Sequence, residues 1–179
     1  MNKEWNAVEL LRHARHDWLN KIQLIKGNLD LNKPERVKQL IEEIIIEAQQ
    51  EAKLSNLKLP HFATFMLTSN WKGYPFQLEF EVIDDGEVGD ADDRVLTEWM
   101  NAFFACLHTT VEALGENHLF VSIQTQKNGI RFFFNFNGII KDKDKIQQFL
   151  ETMNDGKMIV NLLELTQQGF AIEVFIQYR

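Results

Sequence analysis

Apolar residues at Val8, Leu11, Trp18, Ile22, Ile25 and Leu29 recur in alternating steps of three and four, with Arg15 in the one remaining slot. That spacing is the seam of a helix packed in a bundle. A second run keeps the helical period: Val37, Leu40, Ile41, Ile44, Ala48 and Ala52, with Ile45 widening the stripe. Between the two runs lies Asn28-Leu29-Asp30-Leu31-Asn32-Lys33-Pro34. Here Asn32, with Glu35 three residues later, resembles a capping box, and Pro34 fits only a first turn. Two helices are expected, over about 4–31 and 33–58, the second stopped by Pro60. At ~1.5 Å per residue each is on the order of 35 Å long. They make an antiparallel hairpin, a first domain over 1–59. Each apolar face is wider than one partner covers, so a second hairpin is needed. Another copy of the chain supplies it most simply, giving a two-fold homodimer with a four-helix bundle. Arg15 either sets register in the seam or reaches out of the bundle end.

One step round the helix from Arg15 stands His16, off the seam and towards solvent, with Asp17 directly after it. Asn20 is one turn further on and shares its face. Leu19 and Gln23 lie on the same side, and an exposed leucine beside a reactive histidine suits a docking surface. A neutral imidazole displayed on a rigid helix is available for chemistry. Two plainer readings compete: an ordinary surface histidine, or a metal pair with His13 at i−3, for which no third or fourth ligand is evident. Trp18 reads as bundle core rather than as a recognition residue.

From 60 to 179 the pattern changes. A short helix is expected over His61–Trp71, ended by Gly73 and Pro75, and Phe76–Ile83 alternates as a half-buried strand. An acidic loop runs over Asp84–Asp93; its spacing fits no calcium loop, and it reads as a solvated turn. Asp92–Leu114 reads as an amphipathic helix with Val95, Leu96, Trp99, Phe103, Leu107, Thr110, Val111 and Leu114 on one face. Strands over Leu119–Thr125 and Ile130–Phe136 are joined through Gln126-Lys127-Asn128-Gly129, whose Asn-Gly signals a hairpin. A helix near Asp142–Met153 and a hairpin over about 157–166 and 170–178 complete the chain. The whole is an α+β protein, its second domain an α/β sandwich with a mainly antiparallel sheet and helices on one face. His61, His108 and His118 fall near element ends and read as structural.

The formal net charge of −7 argues against a nucleic-acid partner, which would call for clustered Lys and Arg. With one cysteine, Cys106, there is no disulfide framework and no thiol zinc motif. Met1-Asn2-Lys3-Glu4-Trp5 lacks the apolar core of a signal peptide, and no apolar run approaches a membrane span. A soluble, cytoplasmic protein is expected.

Arg15-His16-Asp17-Trp18-Leu19-Asn20-Lys21, followed by Ile22-Gln23-Leu24-Ile25-Lys26-Gly27-Asn28, resembles the phosphoacceptor helix of the sporulation initiation phosphotransferase B family, itself related to two-component sensor histidine kinases. Glu51–Pro60 is similar to the second helix of that family. The resemblance is strong over about 10–83 and rests on pattern beyond. It implies a dimeric four-helix bundle and a C-terminal domain like a kinase ATP-binding domain without its nucleotide site. It also implies that His16 takes a phosphoryl group from the aspartyl phosphate of one response regulator and passes it to an aspartate of a second, in control of sporulation initiation. Asn20 matches the polar residue one turn below that histidine. Asp17, Arg15, Leu19 and Gln23 are supporting or regulator-binding candidates. The helix at 92–114 contains only Asn101 where such kinases carry an asparagine-rich motif, and Phe136 stands where their Asp-x-Gly aspartate is expected. A phosphate chain needs a close glycine-rich backbone, and Mg²⁺ needs oxygen ligands. The expectation is therefore a phosphotransferase rather than an autokinase, binding no cofactor itself, with Mg²⁺ on the partner regulator. The alternatives are a non-catalytic dimeric module that recruits response regulators, and a degenerate sensor kinase retaining weak nucleotide binding.

Overall fold

A computed structural model describes residues 6–84, 89–152 and 158–178. Residues 1–5, residues 85–88 of the acidic loop, the join between the last helix and the fourth strand, and residue 179 fall outside them. The chain forms two compact units, 1–49 and 50–179, with the division inside the second helix.

The first unit contains α1 (Ala7–Asp30) and most of α2 (Pro34–Asn56). Asn6 opens α1 with a capping box: its side-chain oxygen accepts from the Glu9 amide at 3.0 Å, and the Glu9 carboxylate reaches back to the Asn6 amide. At the other end the expected capping box over Asn32 and Glu35 does not form. Asn32 instead adopts φ 53° and closes α1. Its amide donates to Leu29 O and the Lys33 amide donates to Asn28 O, both at 2.9 Å, which is the Schellman pattern. Asparagine serves both roles, and the chain reverses too sharply here to leave it at the head of α2. Pro34 takes the first position of α2. Lys21 Nζ meets a Glu47 carboxylate oxygen at 2.6 Å, linking points roughly equidistant from the turn, so the two helices run antiparallel.

In the second unit, α3 (Pro60–Thr68) and a short 3-10 turn (Ser69–Trp71) lead to β1 (Gln77–Asp84). Then come α4 (Asp93–Thr110), β2 (His118–Gln126), β3 (Gly129–Asn137), α5 (Lys143–Thr152), β4 (Met158–Leu165) and β5 (Gly169–Gln177). The sheet order is β1-β2-β3-β5-β4, with β1 and β2 parallel and the other pairs antiparallel. Leu119, Val121 and Ile123 of β2, Phe132, Phe134 and Phe136 of β3, and Ile172 and Val174 of β5 all face the helices and are buried. Leu54 and Leu57, in and just after the last turn of α2, join this core.

Two expectations in this unit are corrected. The helix at 92–114 ends at Thr110: Val111 is extended and bridges Ile140, and Leu114 is almost fully exposed rather than on the packed face. The β-branched run Thr109-Thr110-Val111 favours that switch. Val95 is also exposed, and Met100, Phe104 and Cys106 pack in the core instead. In the β2–β3 hairpin the turn residues are Lys127 and Asn128, because Gln126 pairs with Gly129. A Cβ on Gly129 would collide with the Ile176 carbonyl and the Phe175 ring, so close approach rather than turn geometry requires the glycine.

Side chains also close the outer edge of β1. Asn70 donates to Leu78 O at 2.9 Å and accepts from Leu78 N at 2.8 Å. Gln50 accepts from Val82 N at 2.7 Å, and Lys53 donates to Val82 O. Asp93 caps α3 from outside it, accepting from the amides of His61 and Phe62 at 2.8 Å each.

Candidate functional site: the His16 face of α1

Not one residue of α1 is buried within the single chain. Val8, Leu11, Trp18, Ile22 and Leu29 of the seam are 53–64% exposed, although Val37 and Leu40 of α2 are buried. His16 points away from that seam with its side chain 72% exposed. A regular helix, held at both ends by the caps described above, fixes its backbone.

Two neighbours contact the ring. The Asn20 side-chain amide nitrogen lies 3.2 Å from Nδ1, one turn along, placed to donate to it. An Asp17 carboxylate oxygen is 3.6 Å from the same nitrogen. The expected supporting residues divide accordingly: Asn20 and Asp17 meet the imidazole, while Arg15, Leu19 and Gln23 are exposed on α1 and are not among the ring's partners. Both contacts engage Nδ1, which leaves Nε2 directed outward. An amide presents either an N–H donor or a carbonyl acceptor by a half-turn, so Asn20 can hold either neutral tautomer. The carboxylate favours a proton on Nδ1, and that tautomer puts the lone pair on Nε2.

Residues 58–177 match the family described as sporulation initiation phospho-transferase B, C-terminal, and residues 1–57 match the sensor kinase SpoOB-type alpha-helical domain. The chain is 40% identical over 171 residues to sporulation initiation phosphotransferase B of Bacillus subtilis (strain 168), covering 93% of this chain and 88% of that one. The chain belongs to the sporulation initiation phosphotransferase B family. It is also similar to the Acinetobacter baumannii histidine kinase AdeS (TM-score 0.49, 11% identity, 92% of this chain and 98% of that chain). A further similar structure is histidine kinase ThkA in complex with response regulator protein TrrA (TM-score 0.46, 16% identity, 96% and 61%).

For this member of the family, the positions read against kinase motifs have structural occupations. Asn101 donates its amide to Thr97 O, one turn back in its own helix, at 2.8 Å. Phe136 is buried and stacks on Phe170 at 5.1 Å between ring centroids. Between α4 and α5, Phe149 stacks on Phe103 at 5.8 Å and lies tilted against Trp99 at 6.1 Å. His61, His108 and His118 all belong to the second unit; His108 lies edge-on to Tyr74. Among the described residues no helix is long and apolar enough to cross a membrane.

Sequence reasoning missed Asp93 as a cap. It also missed Asn117, a buried side chain that donates to Pro75 O and Glu112 O and accepts from the Ile139 amide. Lone polar residues of this kind carry no spacing signal, because their partners are distant in sequence.

Proposed function

We propose that this protein is a phosphorelay phosphotransferase that carries a phosphoryl group on His16 between two response regulators in the control of sporulation initiation. The observation that carries the reading is the exposed imidazole whose Nδ1 is engaged by Asn20 and Asp17 while Nε2 faces outward, in a chain of the phosphotransferase family. With the proton on Nδ1, the Nε2 lone pair attacks the phosphorus of an aspartyl phosphate. The new P–N bond forms as the bond from phosphorus to the aspartyl oxygen breaks, releasing the regulator's carboxylate. The ring becomes a phosphoimidazolium, and the Asp17 carboxylate beside Nδ1 offsets its positive charge. The reverse sequence on a second regulator regenerates the neutral ring. Such transfer depends on in-line positioning and charge neutralisation, and Mg²⁺ on the receiver domain supplies the latter at the phosphoryl oxygens.

The partners are receiver domains, as donor and acceptor, and a second copy of this chain. The half-exposed seam of α1 supports a homodimer, since a stripe of this width stays in water unless another hairpin covers it. The acidic net charge fits protein partners rather than nucleic acid, and the site of action is the cytoplasm.

The test is transfer of labelled phosphoryl from a phosphorylated single-domain regulator of the sporulation relay to wild type and to His16→Ala, with ATP alone as control. Acid-labile, alkali-stable label on wild type only is expected. Equal label on both proteins would place the site elsewhere. Regulator binding with no label on either would favour a recruiting module.

A further inference from the structure

Beside its exposed apolar seam, α1 carries a second stripe. Leu10, Ala14, Asp17, Lys21, Ile25 and Asn28 recur in steps of three and four, and each is half-buried within the single chain. This is the side turned to α2, since Lys21 Nζ meets a Glu47 carboxylate oxygen at 2.6 Å. On α2 the answering places, again in steps of three and four, are Val37, Leu40, Ile44 and Glu47. Val37 and Leu40, next to the turn, are buried, Ile44 is half-buried, and the fourth place holds a carboxylate. Apolar packing between the helices thins out along the hairpin, and Lys21 with Glu47 takes over before the level of His16 is reached.

The pair adds little stability. Lys21 keeps 26% of its side chain exposed and Glu47 52%, and ion pairs this wet are weak. What it supplies is direction. The Lys21 ammonium is held from a second side as well, 5.5 Å from the centre of the Trp18 ring. At roughly 100° per residue Lys21 lies about 140° round the helix from His16 and ~7.5 Å along it, off the histidine face. A turn of ~20° about the helix axis carries a group ~6 Å from that axis through ~2 Å. In-line transfer does not tolerate such an error, since a misplacement of ~1 Å costs on the order of 100-fold.

We propose that Lys21, pinned by Glu47, is a positioning residue for phosphotransfer: the pair fixes the rotation of α1 on α2, and with it the direction in which His16 presents Nε2. This rests on the reading of His16 as the relay histidine. Lys21 lies on the far side of the helix from the imidazole and acts through the backbone alone. A receiver docks at His16 with or without the pair, but the line of attack on the acyl phosphate holds only while the two charges meet. Either order of charges serves, because exchanging the two side chains leaves their combined reach unchanged.

The experiment measures initial transfer rate against concentration of the phosphorylated single-domain regulator, with melting temperature and oligomeric state alongside. It compares full-length wild type, Lys21→Glu, Glu47→Lys and the double variant in which the two are exchanged. Each single variant is expected to lose kcat on the order of tenfold, with KM within about twofold of wild type. The exchanged double variant is expected to recover kcat to within about threefold, the two changes being coupled rather than additive. Melting temperature and assembly stay close to wild type throughout. Unchanged kcat in both single variants would overturn the proposal, and so would a double variant no better than the singles. A raised KM with wild-type kcat would overturn it by making Lys21 a receiver contact, and loss of assembly in the single variants by making the pair a packing contact. His16→Ala, run in parallel, tests the relay separately: if wild type and His16→Ala label alike, the relay reading fails and this inference falls with it.

Discussion

Asn20 stands 3.2 Å from Nδ1 of His16, so the nitrogen facing the helix is occupied and the nitrogen facing solvent is not. That contact, with the Asp17 carboxylate at 3.6 Å from the same nitrogen, holds the ring plane; on the proposed mechanism the Asn20 amide turns its oxygen to a protonated Nδ1. Asn20→Ala frees the ring to rotate and to change tautomer. We expect Asn20→Ala to accept label still, but with kcat down on the order of 10- to 100-fold, the scale of a small misplacement at a reacting centre. Rapid-quench transfer kinetics would measure it; an unchanged kcat would leave Asn20 a bystander.

Ile22 is 55% exposed at the middle of the seam, and it should be covered in the homodimer. Ile22→Asp places a charge where a desolvated contact belongs, at a cost of several kcal/mol per dimer. Sedimentation equilibrium should give a dimer for wild type and a monomer for the variant. A monomeric wild type at micromolar concentration would sink the bundle proposal.

Asp93 accepts from two amides at the head of α3, both at 2.8 Å. Removing a capping carboxylate of this kind costs about 1–2 kcal/mol. Urea unfolding of Asp93→Ala should show that loss. Phosphotransfer to His16 below the transition should be unaffected, because the two residues belong to different units.

Burial pushes the Cys106 thiol above its ordinary value, with the Lys145 charge opposing and the Asp142 charge adding to the rise. The thiolate is the reactive form, so at pH 8 the native protein should react with iodoacetamide far more slowly than the unfolded chain. The difference should shrink as urea unfolds the protein. Rapid native labelling would show that the core opens around α4.

Periodicity revealed what repetition could reveal. The run from Val8 to Leu29 and the alternation in β2 and β3 each involve many residues; the first resolves as one helix and the second as two strands. Single-residue signals were ambiguous for a physical reason. Asn32 is equally suited to open a helix or to close one, and only the geometry of the reversal decides between them. Asn128-Gly129 reads as a turn centre, yet the glycine is needed beneath Phe175 of another strand. Thr110 and Val111 continue the helical stripe on paper, but pairing of Val111 with Ile140 ends the helix there. At the site, the motif around His16 was readable because its members are neighbours on one helix. The engagement of Nδ1 rather than Nε2 was not, since it depends on rotamers.

The side chains of Asn70, Gln50 and Lys53 on the outward backbone of β1 also shape how this molecule meets others. An open strand is indiscriminate: it adds any extended peptide that arrives. Here the backbone groups at Leu78 and Val82 are already saturated, and β4, the opposite border of the sheet, is broken by a bulge near Leu162. A relay protein survives on brief collisions with more than one visitor. With these margins blunted, the proposed docking on α1 makes loyalty to a partner a matter of side chains on one helix rather than of backbone.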